Sequence, residues 1–395
     1  MFFKNKYNLN NFSENLSLNK LFFTIILFEI GVFIFLNQKN FLNSPNLQIG
    51  DAYSFYFYNY SNLENFLGQY RSFGGPLYVK FYKIFSEQLN YWGTVNYIFF
   101  SLSLLLFFYS LVINNFNKVF SFFLILGILG STKLWYYFSH WSEVLSIISI
   151  LLTISFYFFS YKQNKNYQYL FFTFLLFYTY QIRPLFVVFV FTFIFLEFYL
   201  IKFDKKDKIF KFKNLKIINF TLLPLIIFLI FRFFVTGHLG IAPYVGAHLG
   251  AHAIFHLNEN SIGQISTKNK KFAEDIHARK LLHHYPCNLN YDEIKKLNNY
   301  TKCYTENTMS LMLEMIKNKT NQQPFDSNNE KNYNSWKYLE TLDQFFMKVK
   351  NYNNIDNSLK EFSYELIGLN LNNFLNQIKL NIYNSYVMQV KMNTK

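Results

Sequence analysis

Apolar residues in this chain come in long runs divided by short polar joints, and the pattern stops well before the end. Between Leu21 and Val235 the runs approach the ~20 residues that a helix needs to cross a bilayer. They predict spans at 21–36, 94–113, 119–138, 142–161, 167–182, 185–201 and 217–235. From about Asn258 the chain turns polar and rich in Asn and Lys, with a helix-like stretch, SLKEFSYELIGLNLNNFLNQIKLNIYNSYVMQV, near its end. The expectation is an all-α polytopic membrane protein with about seven transmembrane helices, an outer first loop containing interfacial helices, and a mainly helical outer C-terminal region. It places a transmembrane domain over 1–257 and a polar extracytoplasmic region over 258–395.

Composition agrees with that division. Of the 395 residues 51% are hydrophobic, 22% aromatic and only 15% charged, which argues against a purely soluble protein. The formal net charge is +15, yet the basic residues are spread along the chain and no stretch reads as a nucleic-acid module. Nucleic acid is therefore not an expected partner, whereas membrane lipid is.

The lysines give the expected sidedness. Lys4, Lys6 and Lys20 precede the first span, Lys118 follows the second, Lys162 and Lys165 follow the fourth, and the run Lys202–Lys216 follows the sixth. All fall on one side of the predicted topology, so the positive-inside rule sets the N-terminus in the cytoplasm. The first apolar run has no small-residue cleavage site after it and reads as a retained span. His140, His238, His248, His252, His256, His277, His283 and His284 then face outward, as do Cys287 and Cys303, which an oxidising compartment would allow to pair.

Candidate chemistry collects at the outer joints. Asp51 opens the first outer loop and is followed by GGPLYVKFYKIF, an amphipathic aromatic segment suited to the membrane surface. Asp51 is either the cap of a short helix, AYSFYFYNY, or a general base facing a lipid-linked substrate. Lys133, His140 and Glu143 flank the turn of STKLWYYFSHWSEVL, and Arg183 with Pro184 forms the turn of YTYQIRPLF. A guanidinium offers a permanent charge and a fixed fork suited to phosphate. Lys80 and Lys133 also fit side chains that merely snorkel. His248, His252 and His256 recur every four residues, but Gly246 and Gly250 weaken a helix there and no carboxylate intervenes, so no metal ligand is assigned. Glu29 lies mid-span without a charged partner at its depth, and Glu197 lies near the basic inner end, where it is expected to pair.

Taken in order, these features resemble the GT-C superfamily of polytopic glycosyltransferases, particularly bacterial relatives of dolichyl-phosphate-mannose protein mannosyltransferases (the glycosyltransferase family 39 type). The resemblance rests on GDAYSFYFY after the first span, GGPLYVKFYKIF before the second, SHWSEVL and QIRPLF at outer turns, and RFFVTGHLGIAPYVGAHLG after a later span. It covers about Lys20–Leu257. Many relatives carry a Lys-Pro-Pro-Leu element where this chain has GGPLY, and two acids where this chain has Asp51 followed by Ala52. Relatives also continue with further spans, so two expectations stand for the region before Lys395: a truncated continuation of that layout, or a layout whose C-terminal spans are lost.

The resemblance implies an inverting hexosyl- or pentosyltransferase of the bacterial inner membrane. It would move a sugar from a polyprenyl-phosphate donor to a lipid, glycan or protein acceptor at the outer face. Asp51 would be the base, Glu143 the second outer acid, and Arg71, Tyr78, Lys80, His140 and Arg183 the substrate-binding side chains. A lipid-phosphate donor needs no nucleotide cofactor, and no Walker-type loop is present; a divalent cation is left open. Two other classes fit the same pattern: a transporter or flippase of lipid-linked saccharide, and a non-catalytic membrane assembly partner.

Overall fold

The structure is a computed structural model, and it describes residues 17–42, 55–56, 58–69, 72–84, 91–131, 138, 142–163, 165–203, 208–241, 245–282, 307, 310–311, 314–315 and 352–379. Among these residues the chain is helical, with no strand. They divide into two units, the first holding 17–42, 55–58 and 72–235, and the second 59–69 and the described residues from 236 onward. The composition shift near Asn258 thus falls inside the second unit.

The first unit begins with α1 (Leu18–Gln38), whose first turn is capped by the Ser17 hydroxyl accepting from the Lys20 amide at 3.3 Å. Next come α2 (Gly74–Lys83), α3 (Trp92–Ile113) and α4 (Lys118–Leu129), the last opened by the Asn117 side chain accepting from Val119 and Phe120. They are followed by α5 (Glu143–Gln163), α6 (Asn166–Ile182), a 3-10 turn at Pro184–Val187, α7 (Val188–Phe203) and α8 (Lys208–Thr236). Among the described residues five segments are long and apolar enough to cross a membrane: Leu18–Gln38, Trp92–Ile113, Glu143–Gln163, Pro184–Lys202 and Lys213–Thr236. Their outward faces carry Phe23, Leu102, Phe195 and Phe234 at 52% exposure or more, where a soluble helix would place charges. This is a multi-pass membrane protein by length and composition.

The other two predicted spans form helices too short for that criterion. Among the described residues of the run expected over 119–138, the α-helix covers Lys118–Leu129, 12 residues or about 18 Å, against the ~30 Å of a hydrocarbon core; residues 132–137 lie outside the described residues. Gly127 and Gly130 weaken helix propagation there, and polar Ser131 follows. The fifth run forms α6, of 17 residues.

What holds these helices together follows from their small hydroxyl residues. On α5, Ser146, Ser149, Thr153, Ser155 and Ser160 are all buried, and each returns its hydroxyl to a backbone oxygen three or four residues earlier. The hydroxyls are thereby satisfied without water, and their small size lets neighbouring helices approach. Thr153 also meets Thr179 of α6 at 3.2 Å. A second cluster joins α1 to α3 and α5 through Ile25, Leu36, Phe100, Leu104, Phe108 and Ile148.

The second unit comprises a short helix at Leu63–Gly68, then α9 (Val245–Ala253), α10 (Glu259–Gln264), α11 (Thr267–Leu282) and α12 (Tyr352–Leu369). It has its own core, built on Ile254, Phe272, Ile276, Leu311, Leu359, Phe362 and Leu366. Glycine was expected to weaken a helix over the histidine repeat. Instead α9 forms, because α12 crosses it closely: a Cβ at Gly246 would lie 2.3 Å from the Asp356 carbonyl oxygen. The Asp356 side chain accepts from the Gly246 amide at 2.7 Å, satisfying a donor that the first turn of α9 leaves open.

Candidate functional site

Two of the joints singled out in the sequence meet. The residue before a proline is driven to extended backbone, so Arg183 ends α6 at φ −137° and ψ 114°, and Pro184 starts the following 3-10 turn. Glu143 is the first residue of α5, where a carboxylate is favoured by the helix dipole. The Arg183 guanidinium forms an ion pair with Glu143 Oε1 and donates from Nε and Nη2 to Ser142 Oγ at 3.2 and 2.9 Å. Glu143 Oε2 accepts from the amide and hydroxyl of Ser142, both at 3.3 Å. Both side chains keep contact with solvent, at 40% exposure for Arg183 and 29% for Glu143.

The third member is the start of α2. A Cβ at Gly74 would lie 2.5 Å from the Gln181 carbonyl carbon, so the Gly-Gly-Pro start of α2 rests on the backbone one or two residues before Arg183. Tyr178 fixes that contact by donating to the Gly74 carbonyl at 3.0 Å. Gln181 is fully buried, and neither atom of its amide has a partner among the described residues. The amphipathic pattern predicted for this segment is visible: Leu77, Phe81 and Ile84 are exposed while Val79 and Tyr82 are buried.

Tyr78 is half-buried, its ring against Trp92 at 5.3 Å, and its hydroxyl donates to Asn96 Oδ1 at 2.8 Å. Asn96 in turn donates to the Phe138 carbonyl at 3.3 Å. Burial, with a smaller contribution from Tyr82, pushes the Tyr78 hydroxyl well above its usual titration range. Lys80 lies on the exposed face of α2. Asp51, Arg71 and His140, together with Lys133, Cys287 and Cys303, lie outside the described residues. Of the helix expected over 52–60, Phe55 and Tyr56 are helical and Tyr58–Tyr60 are not; 52–54 and 57 lie outside the described residues.

The site therefore brings together Glu143 and Arg183 and sets them beside the GGPLY helix. Ser142, Tyr178 and Gln181 were not singled out from sequence. Ser142 was adjacent to a chosen acid, but its role depends on a partner 41 residues away. Of the guanidinium nitrogens, Nη1 makes no hydrogen bond among the described residues. That nitrogen presents two N–H donors to an anionic oxygen without disturbing the Ser142 contact.

The histidine repeat has a different outcome. His256 hydrogen-bonds Gln377 at 2.8 Å, and His252 lies on α9, where burial holds its imidazole below the ordinary range. Among the described residues no three His, Cys, Asp or Glu side chains gather as a metal-binding group. Near the opposite ends of the spans, buried Glu197 accepts from the Tyr157 hydroxyl at 2.6 Å, so its expected pairing is with a tyrosine as well as with the Lys213 charge. Glu29 is buried in α1, with its main-chain carbonyl accepting from Tyr97 at 2.6 Å.

No family model, curated protein or solved structure matches this chain.

Proposed function

We propose that this protein is an inverting membrane glycosyltransferase of the GT-C type, acting on a polyprenyl-phosphate-linked sugar at the outer face of a bacterial inner membrane. The observation that carries the reading is the meeting of Arg183 and Glu143 beside the start of α2. A cation with unused donors, an acid and a membrane-surface helix stand together at one end of apolar spans. Those are the groups that transfer from a lipid phosphate requires.

In this reading the seven predicted helices all cross the bilayer, α4 doing so together with the residues that follow it. Asp51 removes the proton from an acceptor hydroxyl, whose oxygen attacks the anomeric carbon. The bond from that carbon to the phosphate oxygen breaks, and polyprenyl phosphate leaves with both bonding electrons. Arg183 receives the charge that develops on the phosphate, a kind of contact worth roughly 10²–10³ in rate elsewhere. Glu143 keeps the guanidinium oriented through Nη2, and Ser142 Oγ accepts from Nε and Nη2. Arg71, Tyr78, Lys80 and His140 complete donor and acceptor binding, the acceptor being a lipid, glycan or protein. Purified full-length protein with Asp51→Asn or Arg183→Gln, assayed for release of labelled polyprenyl phosphate, tests the assignment. Equal release by parent and variants sinks it.

A second reading is favoured by the same pairing. Because Glu143 and Ser142 already engage Arg183, the cluster also suits a clasp that fixes α5 to the end of α6 in a transporter of lipid-linked saccharide or in an assembly partner. Movement of intact donor across a vesicle membrane, without release of polyprenyl phosphate, separates the two.

A further inference from the structure

The lysine-rich ends of the spans hold a second polar cluster that the proposed transfer reaction does not use. Lys213 and Lys216 lie at the start of the apolar segment Lys213–Thr236, so a bilayer spanned by that segment would set them where headgroup meets hydrocarbon. Both are half-buried. The Lys213 amine stands 4.5 Å over the Tyr161 ring, and the Lys216 amine 4.4 Å over the Tyr169 ring. Lys216 also donates to Asn166 Oδ1 at 2.7 Å. Aromatic faces and a hydrogen bond thus hold two long cations in place, which lowers the entropy lost when they grip a ligand.

The surroundings are short of partners. Asn214 is fully buried, and neither atom of its amide is hydrogen-bonded among the described residues. Gln168 Oε1 and Glu197 Oε2 are buried in the same condition. Polar groups left so in a membrane protein are costly and mark places that receive a polar guest or the water it carries. Glu197 is the acidic group coupled to the cluster, and Tyr157 and Lys213 both offset its charge. The run Lys202–Lys216 supplies seven lysines against Asp204 and Asp207, and Lys162 and Lys165 flank α5 and α6 at the same ends.

We infer that this cluster binds the head group of an anionic phospholipid, with Lys213 and Lys216 gripping the phosphodiester. Charge complementarity selects the occupant: two ordered ammonium groups at headgroup depth fit a phosphate with a net negative charge and not a zwitterion, whose choline would meet them. The inference is independent of the transferase reading.

Native mass spectrometry of the full-length protein, released from nanodiscs of equal phosphatidylglycerol and phosphatidylcholine content, tests it. Each lysine at an anionic surface is worth about fivefold in binding. The parent should retain phosphatidylglycerol in preference, and Lys213→Gln/Lys216→Gln should lose that preference by tenfold or more. Lys213→Arg/Lys216→Arg should keep it, as should Lys162→Gln/Lys202→Gln, which removes two exposed lysines at the same ends of the helices. Millimolar inorganic phosphate should not displace the lipid. Equal retention of the two lipids by the parent overturns the proposal and needs no variant. So does an unchanged preference in the Lys213→Gln/Lys216→Gln variant, an equal loss in the Lys162→Gln/Lys202→Gln variant, or displacement by free phosphate.

Discussion

At the scale of single residues, two side chains and one missing side chain hold the candidate site. Arg183 is positioned by the proline after it, and that much is legible in the dipeptide Arg-Pro, because proline forces its predecessor out of the helix. What it touches is not legible, since Ser142 and Glu143 are about 40 residues away and nothing local reports the pairing. Gly74 is the missing side chain. Gly74→Ala would drive a methyl into the Gln181–Ile182 backbone, which cannot yield as a flexible side chain would. It should lower the melting temperature of the detergent-purified protein, by an amount equivalent to roughly 1–3 kcal/mol of overpacking. Gly31→Ala, where a Cβ meets nothing within 4 Å, is the control and should leave melting unchanged.

At the scale of elements, the five long apolar helices were evident because their lengths are set by the bilayer. The helix α9 was not. Its glycines argued against a helix locally, and only the crossing of α12, more than 100 residues later, gives them a purpose. A similar long-range contact starts α11. Partial burial alone would raise the Glu365 carboxyl, but hydrogen bonds from Asn269 and from the amide and hydroxyl of Ser266, with the Lys268 charge, outweigh it and hold its pKa below 4.5. His252 is held below 6.5 by burial.

Both shifts have the same sign for stability. A folded pKa below the unfolded one means that the unfolded chain takes up protons first as pH falls. The His252 contribution is complete above pH 6.5 and declines below it; that of Glu365 is complete above pH 4.5 and declines as pH falls through its lower folded value. The melting temperature of the second unit, followed by hydrogen exchange of α9, α11 and α12, should therefore drop in two stages on acidification. His252→Gln should remove the upper stage and Glu365→Gln the lower one. A pH-independent profile in the parent would contradict this account.

At the scale of the whole molecule, the apolar pattern gave the class of protein; for the span predicted over 119–138 the described residues show the helix α4, which ends at Leu129, and 132–137 lie outside them. Sidedness rests on the lysines. With Cys287 and Cys303 replaced by Ser, single cysteines at Lys165 and Lys202 should be labelled by an impermeant maleimide only from the cytoplasmic side, and one at Leu185 only from the other. Labelling of all three from one side would break the topology on which an outward-facing Arg183 depends.

The function itself is tested most directly by chemistry on the reconstituted full-length chain. Offered a panel of radiolabelled polyprenyl-phosphate hexoses and pentoses, the parent should release polyprenyl phosphate from at least one. Arg183→Gln should reduce that release by about a hundredfold or more, consistent with loss of one charge-stabilising donor set. No release from any donor, or undiminished release by the Arg183 variant, would contradict the glycosyltransferase account.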